Sequence, residues 1–91
     1  MNINLTSQFK KDFKKLKVEN KKFSSKLMEL IIEIDNGGPS RQEGLGKPEL
    51  LKGNLAGCWS RRIDGKHRLI YRFNIDNTLT LLSCYGHYSD K

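Results

Sequence analysis

Residues 57–73 read GCWSRRIDGKHRLIYRF, and the folding of this stretch decides the rest. Two runs rich in aromatic and branched residues flank Asp64-Gly65, a dipeptide that favours a hairpin turn. Side chains alternate along a strand. The odd positions are Trp59, Arg61, Ile63, Leu69, Tyr71 and Phe73, and five of these six are apolar or aromatic. The even positions are Cys58, Ser60, Arg62, Arg68, Ile70 and Arg72, and are mostly polar. A two-residue loop would pair Arg61 with Arg68 and mix the two sets. A three-residue loop keeps them apart, and the hydrophobic pattern sets register. The expectation is therefore a type I turn with Gly65 in the left-handed position of a bulge. Arg62, Arg68 and Arg72 then share one face, opposite the helices, and Arg61 falls at the rim of the apolar face.

Three arginines on one face have two explanations. Charges blunt exposed sheet edges. Lysine or glutamate serves that purpose equally well, whereas the guanidinium fork matches phosphate oxygens. The distribution of cations along the chain bears on the choice. The net charge is +7; residues 1–36 hold eight lysines and no arginine, and residues 37–91 hold all five arginines. A basic chain favours a polyanionic partner, nucleic acid or acidic protein. Any phosphate-handling half is then the C-terminal one. The lysine-rich half reads as a solvated face, as attraction to a nucleic-acid backbone or acidic partner, or as membrane-surface binding without the tryptophan-rich wedge.

Ninety-one residues make one domain, residues 1–91, with a thin core. No apolar run approaches a membrane span, and the N-terminus lacks a secretion signal, so a cytoplasmic location without membrane contact is expected. Cys58 and Cys84 fall in candidate strands without zinc spacing, and read as buried reduced thiols. No cofactor is called for, and no metal site.

Upstream, Ile3–Leu5 can be a short strand. Thr6 or Ser7 can cap a helix carrying Phe9, Phe13 and Leu16 at helical spacing. A second helix carries Phe23, Leu27, Leu30, Ile31 and Ile34 and stops at DNGGP, residues 35–39. A tight turn near Glu19 joins the two. Residues 40–57 are polar and glycine-punctuated, and PELLK suits one helical turn because Pro48 fits a first helical position. Strands follow at about 58–63, 68–73 and 78–85, the last apolar on both faces and so interior. The fold class expected is α+β: two N-terminal helices packed on one face of a small antiparallel sheet.

Acid–base groups near the arginine face are few: Glu49, His67, His87 and Tyr88. With Lys52, Arg62 and Arg68 they compose a metal-free ribonuclease set. Such cleavage needs a base for the RNA 2′-OH, cations for the pentacovalent phosphate, and an acid for the leaving 5′-oxygen. The same residue types occur in many small proteins without this chemistry.

The motif GKPELLKGNLAGCWSRRIDGKHRLIYRF, followed by CYGHY, resembles the YoeB/Txe toxins within the RelE superfamily, over about residues 44–88. The N-terminal FKKDFKKL is similar in layout to other members of that superfamily. The resemblance implies a RelE-like fold. It implies an mRNA endonuclease acting at the ribosomal A site and inhibited by a YefM-type antitoxin. The partners implied are that antitoxin and the 70S ribosome with its mRNA, with room for a homodimer. By position, Glu49 corresponds to the general base and Lys52 to a phosphate contact. Arg62 and Arg68 correspond to phosphate-binding arginines, with Arg72 as a neighbour. His87 and Tyr88 correspond to the C-terminal pair, His87 as general acid. His67 and Trp59 read as structural. Here the final HY is followed by Ser89, Asp90 and Lys91, and Gly86 stands where the family often has a bulkier residue. Two readings stay beside this one: a RelE-like endonuclease on free RNA, and a non-catalytic basic RNA- or ribosome-binding module.

Overall fold

A computed structural model describes residues 2–38 and 43–86. The chain runs β1 (Ile3–Leu5), α1 (Ser7–Glu19), α2 (Lys21–Gly37), β2 (Glu49–Leu50), a 3₁₀ turn (Gly53–Leu55), β3 (Trp59–Arg62), β4 (Arg68–Phe73) and β5 (Leu79–Ser83). Thr6 starts α1 by accepting a hydrogen bond from the Phe9 N–H at 3.0 Å. Its hydroxyl also donates to the Leu82 carbonyl at 2.8 Å, tying the helix start to β5. Asn20 alone separates the helices. It ends α1 in extended backbone, and its side chain caps α2 by accepting from the Lys22 N–H at 2.9 Å. The second helix stops at Gly38, whose φ of 67° a residue with a Cβ adopts only with strain.

The helices lay Phe9, Leu16, Leu27, Leu30 and Ile34 against Ile63, Leu69, Tyr71, Leu79 and Leu81 of the sheet. These are the odd-numbered, apolar positions of the strands. The α+β class is as expected, but the sheet is larger than a meander and is mixed. Its order is β1-β5-β4-β3-β2, with β1 parallel to β5 and every other pair antiparallel. Flanking by β1 and β4 on either side accounts for the apolar faces of β5.

Two local expectations are corrected. PELLK does not form a helical turn: Glu49 and Leu50 pair with Ser60 and Trp59 as β2. The reason is burial of Leu51, which joins Cys58 and Ile70 in a second small core, with Leu55 and Leu82 packed against it. The Leu51 N–H donates to the Cys58 carbonyl at 2.9 Å, holding the segment extended. The hairpin loop does have three residues, 64–66, since Arg62 faces Arg68 and the Ile63 N–H donates to the His67 carbonyl at 2.9 Å. Gly65, however, is not among the positive-φ residues. Asp64 does the turning instead, its Oδ1 accepting from the N–H groups of Lys66 (3.1 Å) and His67 (2.6 Å). Cys58 and Cys84 are buried and not joined in a disulfide. Among the described residues no helix is long and apolar enough to cross a membrane.

Candidate functional site

The face of the sheet away from the helices is set by register. Glu49 pairs with Ser60, and Ser60 with Ile70, so these three form one row. One step along the same face lies the Arg62–Arg68 pair. At about 3.3 Å per residue the two rows stand roughly 7 Å apart, in strands about 4.8 Å from their neighbours. The register therefore brings Glu49, Arg62 and Arg68 onto one face within side-chain reach of a common phosphate-sized volume. Like charges directly opposite one another destabilise a sheet, so this pairing runs against stability. Arg62 is exposed. Arg68 is 8% exposed, and its Nη1 donates to the carbonyls of Asp64 (2.9 Å) and His67 (3.3 Å). Those bonds aim the guanidinium and leave Nε and Nη2 as further donors of the fork.

Other expected members lie further off. Arg72 is on the same face, but on the far side of Ile70. It stands four positions from Arg68, roughly 13 Å of strand. Its Nε donates to Asn74 Oδ1 at 3.1 Å. Lys52 lies beyond the end of β2, exposed and extended at the entry to the 3₁₀ turn, where the ladder no longer fixes its face. Glu49, Leu50, Leu51 and Lys52 line a depression at this edge. His87 and Tyr88 lie outside the described residues. Among the described residues no cluster of three or more His, Cys, Asp or Glu could hold a metal ion.

Arg61 is not at a rim. It is 1% exposed, on the helix side, and its three polar contacts lie on three segments. Its Nε donates to the Tyr71 hydroxyl at 2.9 Å; its Nη1 donates to Glu33 Oε2 at 3.1 Å and to the Leu45 carbonyl at 3.2 Å. Glu33 Oε2 accepts the Leu45 N–H as well, at 2.9 Å. The pair thereby pins the loop at Leu45 against α2. One residue on, the Gly46 carbonyl accepts the Arg62 N–H at 2.6 Å. Burial pushes the Tyr71 phenol above its usual range, against the hydrogen bond from Arg61.

The residues following β5 are held from three sides, a feature no sequence pattern announces. Asp12, buried on α1, accepts the Cys84 N–H at 3.0 Å. The Tyr85 hydroxyl donates to Glu19 Oε1 at 2.6 Å. The Gly86 N–H donates to His67 Nδ1 at 2.9 Å, and the Gly86 carbonyl accepts the Arg68 N–H at 3.0 Å. His67 is fully buried, packed against the Phe23 and Tyr85 rings, with Nε2 2.7 Å from Glu19 Oε2. Because Nδ1 accepts, Nε2 carries the ring hydrogen and donates it to Glu19. Donation from Tyr85 and then from His67 holds the Glu19 carboxyl below its usual range, while the bond that Tyr85 donates to Glu19 raises the Tyr85 phenol.

Comparison with known proteins agrees with this architecture. Residues 5–88 match the family described as the YoeB-like toxin of bacterial type II toxin–antitoxin systems. Toxin YoeB of Synechocystis is 44% identical over 70 residues, 77% of this chain and 78% of that protein. The solved YoeB/ParE toxin from Agrobacterium tumefaciens superposes with a TM-score of 0.84 at 34% identity, over 97% of this chain and all of that one. A Staphylococcus aureus YoeB–YefM toxin–antitoxin heterotetramer contains a chain 42% identical, with a TM-score of 0.80, over 97% of this chain and 98% of that one. With a RelE-like α+β fold and a family match over nearly its whole length, the chain belongs to the YoeB-like toxins of bacterial type II toxin–antitoxin systems.

Proposed function

We propose that this toxin is an endoribonuclease that cuts mRNA in the ribosomal A site by side-chain acid–base chemistry. The observation that carries the reading is the register of β2, β3 and β4, which sets Glu49 beside the Arg62–Arg68 pair on one face. In the proposed reaction Glu49 takes the proton of a ribose 2′-OH. The 2′-oxygen attacks the adjacent phosphorus, and Arg62 and Arg68 stabilise the charge of the pentacovalent phosphate. The bond to the 5′-oxygen breaks and His87 protonates that oxygen, leaving a 2′,3′-cyclic phosphate. Tyr88 completes the pair at the C-terminus. Lys52 and Arg72 contact flanking phosphates rather than the scissile one, which suits their distance from the Arg62–Arg68 row. Two guanidinium groups directly opposed across strands support a phosphate site, because structure alone does not reward that pairing.

The partner follows from the same face. An acidic segment of a YefM-type antitoxin covers it and neutralises the arginines. The solved complex of the Staphylococcus aureus relative supports this choice.

Purified protein in a translating extract tests the enzyme reading. Wild type should cut mRNA, while Glu49→Ala, Arg68→Ala and His87→Ala should each lose about 10²-fold or more. Wild type that leaves translated mRNA intact overturns the reading. Equal cutting of naked RNA would move the substrate from the ribosomal A site to free RNA.

A further inference from the structure

We propose that His67 is a positioning residue, holding the Gly86 peptide against Arg68, one residue before the proposed general acid His87. The proposal rests on the enzyme reading above. A buried polar ring is costly unless both of its nitrogens are bonded. Here both are, in one line from Glu19 through His67 to the Gly86 N–H. An apolar residue would fill the same space between Phe23 and Tyr85 without that cost. What the imidazole adds over an apolar residue is an acceptor at Nδ1 aimed at one backbone N–H.

The target of that acceptor is specific. Gly86 is bonded at its N–H by His67 and at its carbonyl by the Arg68 N–H. Two consecutive hairpin residues thus grip both ends of one residue. The second of them is Arg68, already proposed to hold the phosphate. Gly86 has a φ of 75°, so the chain turns there. Gly86 is joined directly to His87 in sequence, and consecutive Cα atoms are about 3.8 Å apart. Misplacing a catalytic group by about 1 Å can cost about 10²-fold in rate. His67 acts through Gly86 and touches no substrate in this account.

Two substitutions separate the bonds. Asn Oδ1 occupies the place of imidazole Nδ1, so His67→Asn keeps the acceptor for Gly86 and loses the bond to Glu19. The Gln amide reaches the place of Nε2, so His67→Gln keeps a donor to Glu19 and loses the acceptor. On ribosomes programmed with a defined mRNA, His67→Gln should lower kcat about 10- to 100-fold with KM within about twofold. His67→Asn should keep kcat within about threefold of wild type, although both variants melt lower. By NMR the Gly86 amide should exchange faster in His67→Gln than in His67→Asn. Equal loss of kcat in both variants, or wild-type kcat in His67→Gln, overturns the proposal. A measurement on wild type alone serves if neither variant folds. Its His67 Nδ1 must resonate as an unprotonated ring nitrogen with the Gly86 amide protected, and a protonated Nδ1 or an unprotected amide overturns it. A wild type that cuts nothing removes the enzyme reading itself. A cutting wild type with an insensitive His67→Gln removes only the positioning role.

Discussion

Arg61 and Arg62 adjoin in sequence and face opposite environments. Arg61 is enclosed by Glu33, Tyr71 and Leu45, and Arg62 is exposed opposite Arg68. The consequences for stability differ accordingly. Removing one partner of a buried ion pair leaves the other charge uncompensated and costs about 3–5 kcal/mol. Glu33→Ala should therefore lower the unfolding free energy by that order, seen as a lower urea midpoint with the slope unchanged. Arg62→Ala should fall within about 0.5 kcal/mol of wild type, the usual range for an exposed position, and relief of repulsion with Arg68 favours the stabilising side. Under the proposed function Arg62→Ala should nonetheless weaken cleavage. An Arg62→Ala protein as destabilised as Glu33→Ala would mean that Arg62 is structural after all. Parity in the sequence separated the two arginines. It did not reveal that Arg61 is buried, because its carboxylate partner lies 28 positions away on α2.

At the scale of elements, the loop before β2 sets the edge of the site. Gly46 has a φ of 77°, and a Cβ there would lie 2.8 Å from the Arg62 carbonyl and 3.0 Å from the Arg62 nitrogen. Neither backbone atom can yield without moving β3. Gly46→Ala should thus cost about 1–3 kcal/mol through backbone strain, and displacement of Arg62 should lower activity beyond the loss of folded protein. Thermal melts set beside cleavage at a temperature where both proteins are folded would show it. Gly44→Ala is costly as well: its φ of 135° disfavours a Cβ, and that Cβ would displace the Glu33 carboxylate from its bonds to Arg61 and Leu45. The helices, β3 and β4 were legible in the sequence because each shows a hydrophobic period and a terminating signal, and β5 because an apolar run follows the turn at residues 74–77. The pairing of β1 and β2 was not, since strands of three and two residues are too short to carry a period. Leu51 is the clue that was available: an apolar residue in a polar loop, matched by Cys58 and Ile70 on an otherwise polar face. Gly65 misled because a nearby Asp64 side chain turned the chain without a left-handed residue.

For the molecule as a whole, Glu19 and Tyr85, which fasten the end of β5 to α1, contribute with Tyr71 to the response to pH. Glu19 titrates below its usual range because Tyr85 and His67 donate to its carboxylate. A carboxyl depressed in the folded state adds stability at pH values above its ordinary pKa, about 4.3. That contribution disappears as pH falls through the lower folded value. Tyr71 and Tyr85 shift the other way, the first by burial and the second chiefly through its bond to Glu19. Phenols raised in the folded state add stability that is complete below about pH 10 and is lost as pH climbs through their folded values. Between these limits the three groups favour the folded state together, and each limb can be assigned. Glu19→Gln should flatten the acid limb below about pH 4.3 and leave a Tyr71-dependent alkaline limb in place. Tyr71→Phe should do the reverse, while also withdrawing the hydroxyl that Arg61 uses. Melting temperatures of the three proteins from pH 3 to 11 decide the matter. An acid limb in Glu19→Gln as steep as in wild type would mean that other carboxylates govern acid unfolding and that the bonds of Tyr85 and His67 to Glu19 add little to stability.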